Sequence, residues 1–404
     1  MLASLLDYVS VVPSPTPSVP PLSPQTSGSS SPLWAYLIVG LLGGLLGGTG
    51  VFAASWRSTK ALRDNTRETL GHERTRLLNE RFDTAARLLG HGEAACRLAG
   101  VHAMAGLADD WAERRQTCID VLCAYLRMPY PPHPDEDAPL TEHLTWQANR
   151  EIRHTVIRTI RDHLLPTTPP DTSWSGCDLD FTGTVFDGGD FSDARFSGRV
   201  TFNNAEFADG IVSFHGAEFC GGTVSFAYAK FSGAIVSFAS ARFGGGTVSF
   251  DRAEFSRRTV SFTRAKFSGA TVSFFEAGFG GGTVSFTRAK FSGATVSFFE
   301  AGFGGGTVSY IHAEFSGGTV DFTNTLFGSG AVSFTQAKFL GGTVVFTDVV
   351  FSSAAVDFRK AGFTGGVVDL LNSHWLTPPV FDDDVLADHP PGLLLPDRPP
   401  ESAS

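Results

Sequence analysis

Arg264 and Lys266 recur 24 residues later as Arg288 and Lys290. Arg242, His312, Lys338 and Lys360 stand at further multiples of 24 from one or another of these four. Cations repeated at one long period can line one side of a regular element and meet an anionic surface, which is binding chemistry rather than bond-making. Glu218 and Glu314 interrupt the series. Glu254, Glu276 and Glu300, with Phe275 and Phe299 beside them, take the corresponding places on what should be the opposite side. The reading is one basic side, and one acidic side with outward aromatics able to contact a protein. Residues for catalysis are missing from the pattern. His102, His154 and His163 have no second ligand at i+4, and no Ser/His/Asp set is recognisable, so these histidines read as packed or solvated. The five cysteines are odd in number and form no CxxC pair, so they read as reduced packing residues. No catalytic residue, metal site or cofactor is expected, and the chain does not read as an enzyme. A column of serines (Ser213, Ser225, Ser237, onward to Ser309) reads as a flat, uncharged outer surface.

The elements that would hold such columns are written in the phenylalanines. The chain has 36 Phe against 6 Tyr and 6 Trp, with 45 Gly among 404 residues. Phe202, Phe207, Phe214, Phe219, Phe226 and Phe231 begin a series whose spacing alternates between five and seven, and two residues before each stands Ala or Val. In an extended segment, residues i−2 and i point the same way, so each small-x-Phe unit is a short strand burying both. Where the spacing is seven, two extra residues rich in Gly widen the corner. Before residue 200 the period is an unmodified five, at Phe181, Phe186, Phe191 and Phe196. Residues 263–286 are copied as 287–310, with Tyr310 in the place of Phe286. Alternate 12-residue units differ while blocks 24 apart nearly coincide, so one coil should take 24 residues and carry four Phe-bearing faces. A whole coil can be duplicated because each coil touches only its neighbours.

The stretch VSFTRAKFSGATVSFFEAGF resembles the pentapeptide-repeat proteins, over roughly residues 177–370. The resemblance implies a right-handed, quadrilateral β-helix, from which the two-residue inserts depart. RFDTAARLLGHGEAACRLAGVHAMAGLADDW, continuing to CIDVLCAYLR, resembles the helical region upstream of the repeats in bacterial membrane-anchored members. Some soluble members mimic DNA and bind gyrase. That needs a strongly acidic rod, whereas residues 177–370 hold 17 acidic and 14 basic residues, a net of −3. A DNA-mimic regulator is therefore the alternative reading, and nucleic acid is not an expected partner.

The mixed architecture expected is as follows. Residues 1–32 form a disordered Pro/Ser-rich tail. Residues 33–56, 24 without a charge, are long enough for a transmembrane helix. Arg57, Lys60, Arg63 and Arg67 follow that span and no Lys or Arg precedes it, which places the N-terminus outside and the bulk in the cytoplasm. Gly40, Gly44 and Gly48 allow close packing of two spans. An all-α cytoplasmic segment (57–165) should begin as a coiled-coil-like stalk through Leu70, Leu77, Leu78, Ala85 and Leu88, with further helices near 93–108, 113–127 and 141–165. A linker (166–176), the β-helix (177–375) and a disordered Pro/Asp-rich tail (376–404) complete the chain. The helical segment should cover the first coil, and Leu370, Leu371 and Trp375 the last. The function implied is a single-pass, non-catalytic scaffold or protein-interaction module at the membrane's cytoplasmic face, with an unspecified protein partner and self-association through the span or the rod ends.

Overall fold

The computed structural model describes residues 68–353 and 355–396. The chain divides into two units, Met1–Glu73 and Arg74–Ser404. Of the first, residues 68–73 are described and are helical. The expected span at 33–56, with Gly40, Gly44 and Gly48, lies outside the described residues. Among the described residues no helix is long and apolar enough to cross a membrane.

The second unit opens with a helix over 74–89 (α1), followed by α2 (Ala94–Asp110), α3 (Arg115–Arg127) and α4 (Leu140–Leu164). Prolines set the boundaries of the last two: Pro129 follows α3, Pro139 precedes α4 and Pro166 closes it, each lacking the N–H that a helix interior needs. The expected stalk is corrected from residue 78 onward. Leu78, Ala85 and Leu89 are buried at helical spacing with Phe82 packed beside them, while Leu77 is 55% exposed, so α1 lies against the other helices rather than standing free. Gly100 permits the closest approach, because a Cβ there would lie 2.6 Å from the backbone nitrogen of Leu89.

Beyond residue 178 the chain winds as a β-solenoid of about nine turns, with strands of two or three residues in four columns. The columns begin at Leu179–Asp180 (face 1), Val185–Phe186 (face 2), Gly189–Asp190 (face 3) and Arg195–Phe196 (face 4). All pairing within a column is parallel. The register is 21 residues in the first coil, as in Leu179↔Val200, then 23 at Gly189↔Val212, and 24 from Val200↔Val224 until the last coil, where Val368 pairs with Leu393. The growth follows the inserts: each spacing of seven adds two residues to a corner while the strands stay aligned. Faces 1 and 4 join into one 16-stranded sheet where Glu314–Asp321 and Lys338–Val345 run extended through the corner.

The two corner types differ chemically. At the tight corners Phe, two residues and Ala form a turn, as Ala265 N–H donates to the Phe262 carbonyl at 3.0 Å. The residue before Ala takes positive φ in all copies, Arg264 at 60° and Glu276 at 52° among them, in a turn position that favours Gly or Asn. Among the described residues fourteen non-glycine residues adopt this conformation. At some wide corners contact excludes a side chain, although Ala234, Arg258, Ala270 and Ala294 take the equivalent place in other coils without positive φ. A Cβ on Gly306, whose φ is +119°, would lie 2.2 Å from the carbonyl oxygen of Gly282 one coil below.

The core is stacked rings. Phe262 and Phe286 lie 4.8 Å apart with planes 6° from parallel, and Phe286 and Tyr310 4.9 Å and 3°. Across the axis, Phe250 and Phe262 meet edge to face at 5.8 Å and 88°. Offset-parallel and edge-to-face contacts are the favoured aromatic geometries, and this core repeats both on every turn.

Both ends are covered. Gln116 exchanges hydrogen bonds with the Asp178 backbone, Arg127 donates to the carbonyl of Asp180, and Arg161 to that of Ser192, so the helices satisfy first-coil groups that no earlier strand can reach. At the far end, the expected disordered tail from 376 is corrected. Phe381 stacks on Phe358 at 4.9 Å and is buried, a short helix (Asp383–Ala387, α5) follows, and Leu393–Leu394 pairs with face 1. The apolar residues within the acidic tail cap the last coil. Leu370 is buried as a cover should be, whereas Leu371 is 47% exposed.

Candidate interaction surfaces

Each outward side chain on the rod takes its place from a strand or a corner, and the 24-residue register decides who stands above whom. On face 4 the column runs Arg195, Glu218, Arg242, Lys266, Lys290, Glu314 and Lys338. Two residues earlier, the positive-φ corner carries Ser240, Arg264, Arg288, His312, Gln336 and Lys360. The two columns are adjacent, and Arg242, Arg264, Lys266, Arg288, Lys290, Lys338 and Lys360 are all exposed. Pairing removes part of the charge. Arg242 binds Glu218, which Arg195 also approaches at 3.7 Å, and Lys290 reaches Glu314 at 2.7 Å. Arg264, Lys266, Arg288 and Lys338 have no carboxylate within ion-pair distance among the described residues. The basic centre is therefore Arg264, Lys266 and Arg288, with Lys290 at its edge, on two coils about 4.8 Å apart.

The other tight-corner column reads Asn204, Tyr228, Arg252, Glu276, Glu300, Asn324 and Asp348, with Glu254 on the strand beside it. Arg252 modifies the acidic character expected there. Its guanidinium donates to both oxygens of Glu276 and to the Tyr228 hydroxyl, and lies 5.6 Å from the centres of the Tyr228 and Phe275 rings. The hydrogen bond from Arg252 holds the Glu276 carboxyl below its ordinary range. Phe275 and Phe299 stack at 6.0 Å and are half-buried. This side is an interlocked ladder of Tyr, Arg, Phe and Glu in which the aromatics are partly covered.

The serine column has a structural role that composition does not suggest. Ser261 Oγ accepts from the Thr263 N–H at 3.3 Å, and Ser237, Ser249, Ser273 and Ser285 repeat the contact two residues on. Towards the rod ends Asp replaces Ser: Asp180, Asp190, Asp321 and Asp357 accept from the i+2 N–H in the same way. These side chains, half-buried except for the exposed Asp190, cap the tight corners rather than form a flat outer skin. The local signal was Ser or Asp directly before the turn, where a side-chain oxygen imitates a backbone acceptor.

The histidines resolve individually. His102 is exposed. His163 lies 3.2 Å from Asp109 and stacks on Trp174 at 4.0 Å. His154 meets Asp187, a first-coil carboxylate that also accepts from Tyr130 and Arg150. Burial works against the charge on Asp187, but the hydrogen bonds from His154 and Tyr130 and the charge of Arg150 outweigh it and lower its pKa. This four-membered cluster fastens the helices to the rod and was not legible in the sequence, since its members come from a loop, α4 and a corner. The cysteines are free thiols; burial pushes Cys118 up to about 11 and Cys123 to about 12, leaving both protonated and inert. Among the described residues no group of His, Cys, Asp and Glu could hold a metal.

Over residues 181–229 the sequence matches the family model described as pentapeptide repeats (9 copies). No curated protein and no solved structure matches the chain.

Proposed function

Because the chain is a pentapeptide-repeat protein, whose coils build continuous outer faces, we propose that it is a non-catalytic interaction module that presents its solenoid as a rigid scaffold at a membrane. Residues 33–56 supply the anchor, the basic residues after them keep the rod on the cytoplasmic side, and the helical segment joins anchor to rod. The finer form of the rod is four-sided and right-handed, the hand that parallel β crossovers prefer. The observation that carries the reading is the cluster of Arg264, Lys266 and Arg288, exposed, without an ion-pair partner among the described residues, and held in register on a rod whose corners leave little freedom. Their corner members stand where Gly would be less strained, so the side chains are displayed at a cost of about 1 kcal/mol each. The partner this face fits is an acidic protein segment. A DNA-mimic role has no such support, because a basic column is the opposite of a phosphate mimic.

The test is affinity capture from membranes with the full chain, comparing wild type with Arg264→Glu, Lys266→Glu, Arg288→Glu and Lys290→Glu combined, after equal folding is established. A protein with an acidic segment that is retained by wild type and lost with the variant supports the proposal. An unchanged set of partners moves the function away from this face. If instead the variant loses only attachment to vesicles of anionic lipid, the face binds the leaflet and not a protein.

A further inference from the structure

A cleft of about 420 Å³ opens in the helical part, between the end of α1, the start of α2, α3, the 128–131 loop and α4. That volume lies in the range of small-molecule sites. Its charged lining is Arg97 and Arg153, with His91 at the edge, and it includes no carboxylate. Neither arginine forms an ion pair among the described residues. Arg97 donates to Asn149 Oδ1 at 2.7 Å and approaches the carbonyls of His91 and Gly92 at 3.4 Å, while its Nε is buried with no hydrogen-bond partner. Arg153 is 5% exposed, gives its N–H groups to the carbonyls of Leu126 and Val185, and lies 4.4 Å from the centre of the Tyr130 ring. Two of its five N–H groups are committed to these carbonyls, and burial leaves it to contribute charge more than contacts.

The carboxylate whose charge acts on Arg153 is Asp187, already shared by Arg150, His154 and Tyr130. Leaving a guanidinium largely desolvated and unpaired is costly, and an anion beside it removes that cost. A second buried donor without a partner, Trp146 Nε1, lies across Asn149 in an adjoining cleft of about 540 Å³, and Asn149 and Pro131 line both. Both orphaned groups are N–H donors, so both call for an acceptor.

We propose that this cleft binds a small organic anion, a carboxylate or phosphate carried on an aromatic body. Arg97 turns the remaining N–H groups of its terminal nitrogens to the anion, Arg153 supplies the field, and Leu89, Val121, Tyr125 and Tyr130 enclose the body. The site is independent of the rod's basic columns and lies where the helices meet the first coil, since Arg153 and Tyr130 each touch both the cleft and first-coil residues.

The full chain in detergent is titrated calorimetrically with phenyl phosphate, benzoate, benzamide and benzylamine. The expected result is saturable one-to-one binding of phenyl phosphate or benzoate that weakens with salt, and at least tenfold weaker binding of the neutral and cationic analogues. Which anion binds tighter identifies the headgroup. Arg97→Gln should weaken the anion at least tenfold, while Arg264→Gln on the rod should leave it within twofold. Absence of saturable binding at millimolar anion overturns the proposal, as does equal binding of benzamide or an unaltered affinity in a folded Arg97→Gln. The ligand series on wild type decides the matter even if that variant does not fold.

Discussion

Tyr310 stands where the duplicated block has Phe286, and the difference is one hydroxyl. The ring is fully buried in the central stack, and its hydroxyl has no hydrogen-bond partner. An unsatisfied buried hydroxyl costs about 1–3 kcal/mol. Tyr310→Phe should therefore raise the denaturation midpoint, with ΔΔG of about 1 kcal/mol or more in favour of the variant by urea unfolding. A midpoint unchanged or lowered would show that the hydroxyl is paired. Asp187 makes the opposite kind of contribution. Its folded pKa is depressed below the ordinary 3.8, so the stability it supplies is complete above that value and is lost as pH falls through the folded one. Wild type should lose stability as pH falls below about 3.8 more steeply than Asp187→Asn, which starts lower and carries no such proton linkage, when urea midpoints are followed against pH.

Within one coil the two corner types respond to substitution differently. Gly306 sits against the carbonyl of Gly282 at positive φ, while a Cβ on Gly302, on the strand just before, would meet nothing within 4 Å. Gly306→Ala must displace backbone and should destabilise by about 2 kcal/mol or more, whereas Gly302→Ala should be neutral or slightly stabilising. Thermal midpoints of the two variants check this, and equal shifts would mean that the corner relaxes freely. The wide corners could be recognised in the sequence from their Gly runs. The tight ones could not be fully read, because Arg, Glu, Lys and His at positive φ contradict local preference. Only the stacked coils, whose backbone N–H groups at those residues bond the next coil, hold them there, as Arg264 N–H does to the Thr287 carbonyl at 2.9 Å.

For the whole rod, repetition means that length is adjustable. Deleting residues 287–310 removes one coil and joins Phe286 to Ile311 in the register that Tyr310 had. The product should fold with the same circular dichroism, be shorter by about 4.8 Å in solution scattering, and keep both caps. Loss of folding would mean that coils are not interchangeable. The caps are the parts that cannot be repeated. At one end helices supply polar side chains to the first strands, and at the other Phe381 and Leu393 continue the ring stack and the sheet.

The Phe period determined the coil of 24, the four columns, the stacked core and the vertical alignment of Arg264 with Arg288 and Lys266 with Lys290. In a solenoid each coil contacts only its neighbours, so a tertiary contact is a fixed sequence offset and can be read as one. Tertiary structure alone decided which cations are neutralised, that Arg252 ties Glu276 to Tyr228, and that the acidic tail folds back as a cap. It also decided that Arg97, Arg153 and two tyrosines converge on one cleft. Those contacts occur once, between elements with no common period, and their energies depend on distances that no repeat encodes.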